Sequence, residues 1–211
     1  MQALIKVNKQ GQALGRKGGE TRRRLLDATL ALIATEDSHK LSASRIARSA
    51  GLASQSFYLY FKDIDEVLLI LAEEASADFT EVTRAIDAAP ADESPEVLSR
   101  QLVAAMGDFW AKHRAILNVR NYLADCGNPE FLKLRYRTTI PLVNSLAERL
   151  RRAQPALLTA RDARGQAVVI FQSMERTFAR EHAVQYSDTA DTIDPRQATV
   201  QVLTRMLTPA S

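Results

Sequence analysis

Apolar residues recur at three- and four-residue spacing along almost the whole chain, the period of a helix with one buried face. Between Glu20 and Thr35, the positions Leu25, Leu26, Ala28, Thr29, Leu32 and Ile33 trace one broad face. Between Asp63 and Asp87, Ile64, Val67, Leu68, Leu71, Ala75 and Phe79 do the same, and Asp63 with Glu66 has the spacing of a capping box. Ser94-Pro95, Asn128-Pro129 and Asp194-Pro195 each set a capping side chain before a proline at a first helical position. The pattern predicts helices near 95–112, 113–126, 129–153, 160–187 and 195–207, with 88–95 as a connection. The run Ala167 to Phe171 has the length of a buried strand, but its polar flanks favour a long helix. Pro141 falls inside a helical stretch and should kink it. The chain carries no alternating strand, hairpin turn signal or internal repeat. The fold class is all-α, with about nine helices.

Two of these helices are short and lie in the stretch SASRIARSAGLASQSFYLYF, Ser42 to Phe61. Ser42 is a good N-cap. Ile46, Ala47 and Ala50 give the first helix a narrow apolar face, and the small Ala47 lets a second helix cross closely. Gly51 stands where the chain must turn sharply, and Leu52 fills the corner. The second helix begins near Ser54, with Phe57 and Phe61 facing the first. This is the pattern of a helix-turn-helix, whose second helix is free to enter a DNA major groove. Its outer face carries Ser54, Gln55, Ser56, Tyr58 and Tyr60, which can hydrogen-bond base edges or phosphates, and none of them is acidic.

Charge sharpens that picture. Of the 211 residues, 1–62 hold 11 Lys+Arg against 4 Asp+Glu, while 63–211 hold 17 against 21. A basic third joined to an acidic remainder implies a polyanion-binding part attached to a part with another task. Gly11, Gly15, Gly18 and Gly19 alternate with Lys6, Lys9, Arg16 and Lys17, the composition of a flexible basic arm. Arg22, Arg23 and Arg24 line either a solvated helix face or a phosphate-contacting one. The expected organisation is a basic arm at 1–19, a helix-turn-helix DNA-binding domain at 20–66 and a larger helical domain at 67–211. An apolar fraction of 46% supplies a core. No apolar run approaches the roughly 20 residues of a membrane span, and no signal-peptide core precedes the first helix. The single cysteine, Cys126, cannot close an intrachain disulfide. A soluble, cytoplasmic protein is expected, with no membrane partner.

The segments TRRRLLDATLALIA and SRIARSAGLASQSFYLYF, followed by an amphipathic helix, resemble the N-terminal domain of TetR-family transcriptional regulators over roughly residues 21–71. Ile46, Ala47, Ala50, Gly51, Phe57, Tyr58 and Phe61 sit where the family pattern wants them. The chain departs from it with Asp37 in place of a glycine, Thr29 in place of an alanine and Gln55 at a position that commonly holds a small residue. Ile64 replaces a phosphate-contacting lysine, with Lys62 two residues away. The resemblance implies that the first helix supports the helix-turn-helix and that the fourth connects it to a divergent helical ligand domain, which makes 67–211 an effector-binding and dimerisation domain. It further implies a homodimer on a double-stranded DNA operator. In this reading Ser54, Gln55, Ser56 and Tyr60 read bases, while Ser42, Arg45, Tyr58 and Lys62 hold phosphates. The expected function is repression, relieved when a small apolar effector releases the protein from a palindromic operator. The alternative is a DNA-binding regulator of the same fold controlled by a protein partner or lacking a small-molecule effector.

The remainder is rich in large polar-capable residues. Trp110, His113, Asn121, Tyr122, Cys126, Tyr136, Phe171, Glu175 and Phe178 come from four predicted helices, and converging they would line an apolar effector pocket with a few polar anchors. Ordinary core packing is the competing reading, above all for Phe171. His39, His113 and His182 lack metal-ligand spacing, and no phosphate loop, dinucleotide fingerprint or nucleophile elbow is present. No metal, cofactor or enzyme activity is expected. The last two helices carry sets too broad for one buried face: Val168, Val169, Phe171, Gln172, Met174, Phe178 and Ala179 on one, Ala198, Val202, Leu203, Met206 and Leu207 on the other. Part of each set should be left to a second copy.

Overall fold

The computed structural model describes residues 15–35, 41–180 and 194–209, and these residues form helices and turns with no strand. The α-helices are α1 (Arg16–Thr35), α2 (Ala43–Ser49), α3 (Phe57–Tyr60), α4 (Ile64–Asp87), α5 (Pro95–Asp125), α6 (Pro129–Ala153), α7 (Ala160–Arg180) and α8 (Pro195–Leu207). A 3₁₀ turn, Ser54–Ser56, precedes α3.

Eight α-helices stand among the described residues where about nine were expected, because 95–112 and 113–126 are one helix of 31 residues. No proline or capping side chain interrupts the chain at Lys112-His113, and Gly107 lies inside the helix for a packing reason. A Cβ there would meet the Arg196 guanidinium at 3.0 Å, which itself lies over the Phe178 ring at 5.2 Å. α1 starts at Arg16, inside the stretch expected as an arm, with Gly19 N–H donating to the Gly15 carbonyl at 3.0 Å. Residues 1–14 of that arm, Asp37 and residues 181–187 lie outside the described residues. α7 passes through Ala167–Phe171 as helix, burying Ala163, Ala167, Ile170, Phe171, Met174 and Phe178 at helical spacing. α6 continues through Pro141, whose ring is exposed while Leu142, Leu146 and Leu150 are buried.

The ends follow local chemistry. Asp194 caps α8 by accepting from Arg196 N and Gln197 N. Asn128 Oδ1 accepts from Glu130 N at 3.2 Å at the start of α6. Asp63 Oδ1 accepts from Glu66 N at 2.9 Å, and the Glu66 carboxylate accepts from Lys62 N at 2.6 Å, closing the start of α4. The two glycines with positive φ, Gly51 at 66° and Gly127 at 86°, end α2 and α5.

The chain forms two compact units. The first holds the described residues up to 75 together with 115–132. Leu25, Leu26, Ile46, Ala47, Phe57, Phe61 and Val67 form its core, each with no more than 1% exposure. The second holds 76–114 and the described residues from 133 onward. There Phe79 meets Phe109 and Phe171 edge-to-face, with centroids 5.0 and 6.3 Å apart. Arg149 donates to the carbonyls of Ile86 at 2.9 Å and Pro90 at 2.6 Å, and also to that of Ala89, satisfying groups that the end of α4 leaves open.

Candidate nucleic-acid interface

The turn between α2 and α3 is built twice over. Ser42 Oγ accepts from Arg45 N at 3.3 Å and starts α2. At the other end, Gly51 N–H donates to the Arg48 carbonyl at 2.9 Å and Leu52 N–H to the Ala47 carbonyl at 2.8 Å. That pair of bonds is a Schellman motif, and it needs the left-handed backbone that Gly51 supplies. Arg24 reaches over from α1 and donates from Nη2 to the Ala50 carbonyl at 2.5 Å. The clamp fixes α1 against the turn, and any side chain at Gly51 would meet the same Arg24 nitrogen, 3.2 Å from an added Cβ.

Arg24 belongs to a triplet whose members each hold a different element. Arg22 places its guanidinium carbon 5.1 Å from the Phe61 ring centroid at the end of α3. Burial lowers its pKa, against the opposing pull of Glu66 and Glu74. Arg23 bonds Asp27 at 2.7 Å on its own helix and Glu74 of α4 at 2.8 Å. Its pKa is raised, first by the hydrogen bond to Asp27. The three consecutive basic residues are therefore a splint from α1 to α3, to α4 and to the turn. Apart from the Arg23–Asp27 pair within α1, their hydrogen-bonded partners lie 26 and 51 positions away in the chain, beyond any local pattern.

Phe57 and Phe61 are fully buried with ring centroids 5.6 Å apart, so the opposite side of Ser54–Tyr60 faces outward. Ser54, Gln55 and Tyr58 are exposed there, while Ser56 and Tyr60 are half-buried. Lys62 is exposed, with Nζ 3.4 Å from Asp63 Oδ2. Ser42 and Arg45 are half-buried at the start of α2. From Ser42 to Lys62 the chain contains no Asp or Glu and three cations, Arg45, Arg48 and Lys62. The residue that the sequence reading passed over is Leu59, 65% exposed between the two tyrosines. Its signal is available in the sequence: it lies two positions after the buried Phe57, about 200° around the helix from it.

The nine residues expected to line an effector pocket divide between the two units. Asn121, Tyr122 and Cys126 belong to the 115–132 segment of the first. Asn121 Oδ1 accepts from Arg120 Nε at 3.1 Å and Nη2 at 2.9 Å, and Arg120 is buried. Tyr122 and Cys126 are exposed, and their mutual hydrogen bond raises the Tyr122 pKa. In the second unit, Phe171 joins the Phe79–Phe109 cluster, and Phe109 lies 5.3 Å from the His113 ring. His113 Nε2 and Lys112 Nζ share Asp78 Oδ2, at 2.9 and 2.6 Å, and hold the Asp78 carboxyl below its usual range, Lys112 more strongly. Trp110 and Phe178 are fully buried, Glu175 is half-buried, and Tyr136 is exposed with the Arg135 guanidinium 6.0 Å from its ring. The Trp110 indole N–H finds no acceptor among the described residues.

The last two helices sort their apolar residues into two sets. Phe171, Met174, Phe178, Leu203 and Leu207 are buried within the unit. Val169 and Val202 are 63% and 53% exposed, and with Gly165, Ala198 and Met206 they line an apolar groove between α7 and α8, with Arg161 and Asp162 also on its wall. No helix among the described residues is long and apolar enough to cross a membrane.

Two family models match the chain. One, described as bacterial regulatory proteins, tetR family, matches residues 25–71, and the other, described as tetracyclin repressor-like, C-terminal domain, matches residues 91–201. The fatty acid metabolism regulator protein of Bacillus subtilis (strain 168) is 37% identical over 57 residues, 27% of this chain and 29% of that protein. The chain thus matches less than a third of that relative's length. Among solved structures, the fatty acid degradation regulator FadR of Bacillus halodurans is similar with a TM-score of 0.59 at 20% identity, covering 93% of this chain and 96% of that one. FadR of Thermus thermophilus, a TetR-family repressor solved in complex with lauroyl-CoA, is similar with a TM-score of 0.55 at 17% identity, covering 88% and 92%.

Proposed function

This chain belongs to the TetR family of bacterial regulatory proteins, and on that premise we propose that it is a homodimeric repressor released from a palindromic operator by a small apolar effector. The observation that carries the reading is the outward face of Ser54–Tyr60, hydrogen-bonding and free of acid, held rigid by the Schellman turn and the Arg24 clamp. Ser54, Gln55, Ser56 and Tyr60 contact base edges, and Ser42, Arg45, Tyr58 and Lys62 contact phosphates. The groove between α7 and α8 supports the dimer. A two-fold axis there gives two heads for two half-sites, one helical turn or a multiple apart.

Trp110 supports an effector in the second unit. A buried N–H without an acceptor costs about 1–3 kcal/mol, and an apolar molecule carrying one carbonyl would supply the acceptor. The effector binds more tightly to a form whose heads are wrongly spaced, and so draws the population off DNA. A hundredfold loss of operator affinity requires a coupling of about 2.8 kcal/mol. Fatty acyl chains, free or carried on coenzyme A, are the first candidates for that apolar group, since the similar Thermus thermophilus FadR was solved with lauroyl-CoA.

The test is selection of duplexes from a random library by the full chain, followed by titration of the selected duplex with lauroyl-CoA and a panel of acyl-CoA thioesters and free fatty acids. Enrichment of a palindrome that is released by one of these supports the reading. If no sequence is enriched, the DNA-binding proposal fails. If a palindrome is enriched but nothing apolar releases it, the effector proposal fails and the DNA proposal stands.

A further inference from the structure

We propose that Leu59 reads the C5-methyl group of a thymine in the major groove of each operator half-site. The inference rests on the DNA-binding reading above and adds a contact that the hydrogen-bonding residues cannot make.

Leu59 is as exposed as any large apolar side chain among the described residues, at 65%. It sits in α3, whose first residue Phe57 and C-cap Phe61 are fully buried, and a residue two positions after Phe57 lies on the far side of the helix from the core. An element that docks by its outer face therefore meets its partner first at Leu59. A leucine can neither donate nor accept a hydrogen bond, so it gives nothing to a phosphate and nothing to the polar edges of guanine, cytosine or adenine. The apolar group that the standard bases present in the major groove is the thymine methyl.

The surroundings select a nucleic acid over a second protein copy as the occupant. From Ser42 to Lys62 there is no Asp or Glu, and Arg45, Arg48 and Lys62 flank the helix. Gln55, one helical turn before Leu59, is exposed, as is Tyr58 beside it at 54%. A lone leucine among hydrogen-bonding side chains, in a segment with only positive charge, is a poor centre for an apolar protein interface. It suits a groove whose floor is mainly polar, whose walls are phosphate and whose apolar features are isolated methyl groups.

The experiment uses the full chain and the duplex it selects from a random library. Each thymine of the half-site is replaced in turn by deoxyuridine, which deletes the methyl and leaves every hydrogen-bonding group in place. At one thymine per half-site, affinity should fall by roughly fourfold for one substitution and roughly fifteenfold when both half-sites carry it, the effect of losing one buried methyl-sized contact each. Leu59→Ala should bind the thymine duplex more weakly by a similar factor and should no longer distinguish thymine from deoxyuridine there, so that the two changes are not additive. Alanine is a good helix former at an exposed site, and unchanged helical circular dichroism confirms folding. The proposal is overturned if no deoxyuridine substitution weakens the wild-type complex, or if Leu59→Ala keeps the full thymine preference. Both of those results leave the DNA-binding function intact. Failure to enrich any duplex overturns this inference together with the reading on which it rests.

Discussion

Leu59 and Val169 are almost equally bare, at 65% and 63% exposure, yet they call for different partners. Around Leu59 every neighbour on the outer face can hydrogen-bond, and no acid stands between Ser42 and Lys62. Around Val169 the groove is lined by Gly165, Gln166, Ile170 and Ser173 and, across it, by Ala198, Thr199, Val202 and Met206, so that polar residues interrupt a mainly apolar surface. The first surface is a single apolar point in a polar, cationic field. The second is a mainly apolar strip, of the kind that marks a protein interface. Exposure of an apolar side chain does not by itself identify a partner. The chemistry within one helical turn says which kind.

The largest expected effects come from placing the same charge on each surface. Val202→Glu would put an unpaired carboxylate at the centre of the dimer interface proposed at the α7–α8 groove. The cost of an uncompensated buried charge is about 3–5 kcal/mol, and sedimentation at micromolar concentration should find a monomer with unchanged helicity, since Val202 is exposed within one chain. Operator binding should disappear with the dimer. Leu59→Glu should do the reverse and leave a dimer that no longer binds the operator, because the carboxylate would be desolvated in the negatively charged major groove against the acceptor edges of the bases. If Val202→Glu still dimerises and binds DNA normally, the groove is not the interface. If Leu59→Glu loses the dimer, the contrast between the two surfaces collapses.

The next effects sharpen the polar side of the comparison. Gln55→Ala and Tyr60→Ala should each relax sequence discrimination by about 1–3 kcal/mol where a good base contact is lost, while the affinity for unrelated duplexes changes little. Competition between the selected operator and a scrambled duplex measures this directly. Gln55 is exposed and Tyr60 half-buried, so the alanine at 60 should also cost some stability and the one at 55 almost none. Unaltered operator preference in both variants would move the base-reading surface away from α3.

What could be read in the sequence was what neighbouring residues decide. Ser42, Gly51, Phe57 and Phe61 announced the helix-turn-helix because a cap, a turn and an i, i+4 pair are settled within a few residues. The Ser94, Asn128 and Asp194 signals before proline marked the starts of α5, α6 and α8 for the same reason. The roles of Arg22, Arg23 and Arg24 were hidden because their partners, Phe61, Glu74 and Ala50, are distant in the chain. The reason Gly107 is small was hidden in the same way, since Arg196 packs on it from α8. Leu59 was overlooked because base reading was sought only among side chains that hydrogen-bond. In the second unit no local rule separates a pocket wall from a core, so the sequence could offer Trp110 and Phe171 alike, and the structure buries both.

Trp110 has a test that distinguishes wall from core. Trp110→Phe removes an indole N–H that has no acceptor among the described residues and keeps an aromatic ring in its place. Relief of an unsatisfied donor and loss of ring volume oppose each other, so the melting free energy should change by no more than about 1 kcal/mol. Effector-driven release should nevertheless need roughly tenfold more effector, the cost of one hydrogen bond. A purely structural tryptophan would show a stability change with the effector response intact.

The smallest effect, and the one that best separates positioning from reading, belongs to Lys62. Its side chain is 78% exposed and pairs with Asp63 at 3.4 Å, an interaction of the kind that contributes little to folding. Its backbone N–H, which donates to Glu66 and closes the start of α4, survives any substitution other than proline. Lys62→Ala should therefore leave melting almost unchanged. If the ammonium lies against a phosphate, as expected from Ile64 standing where the family pattern carries a lysine, the variant should weaken selected and scrambled duplexes by the same factor. The slope of log affinity against log salt should become shallower by about one unit for each copy that docks. Anisotropy titrations of both duplexes across a salt series read the two quantities together. A slope that does not move, or a loss confined to the selected sequence, would take Lys62 off the phosphate backbone and assign it to base reading or to no contact at all.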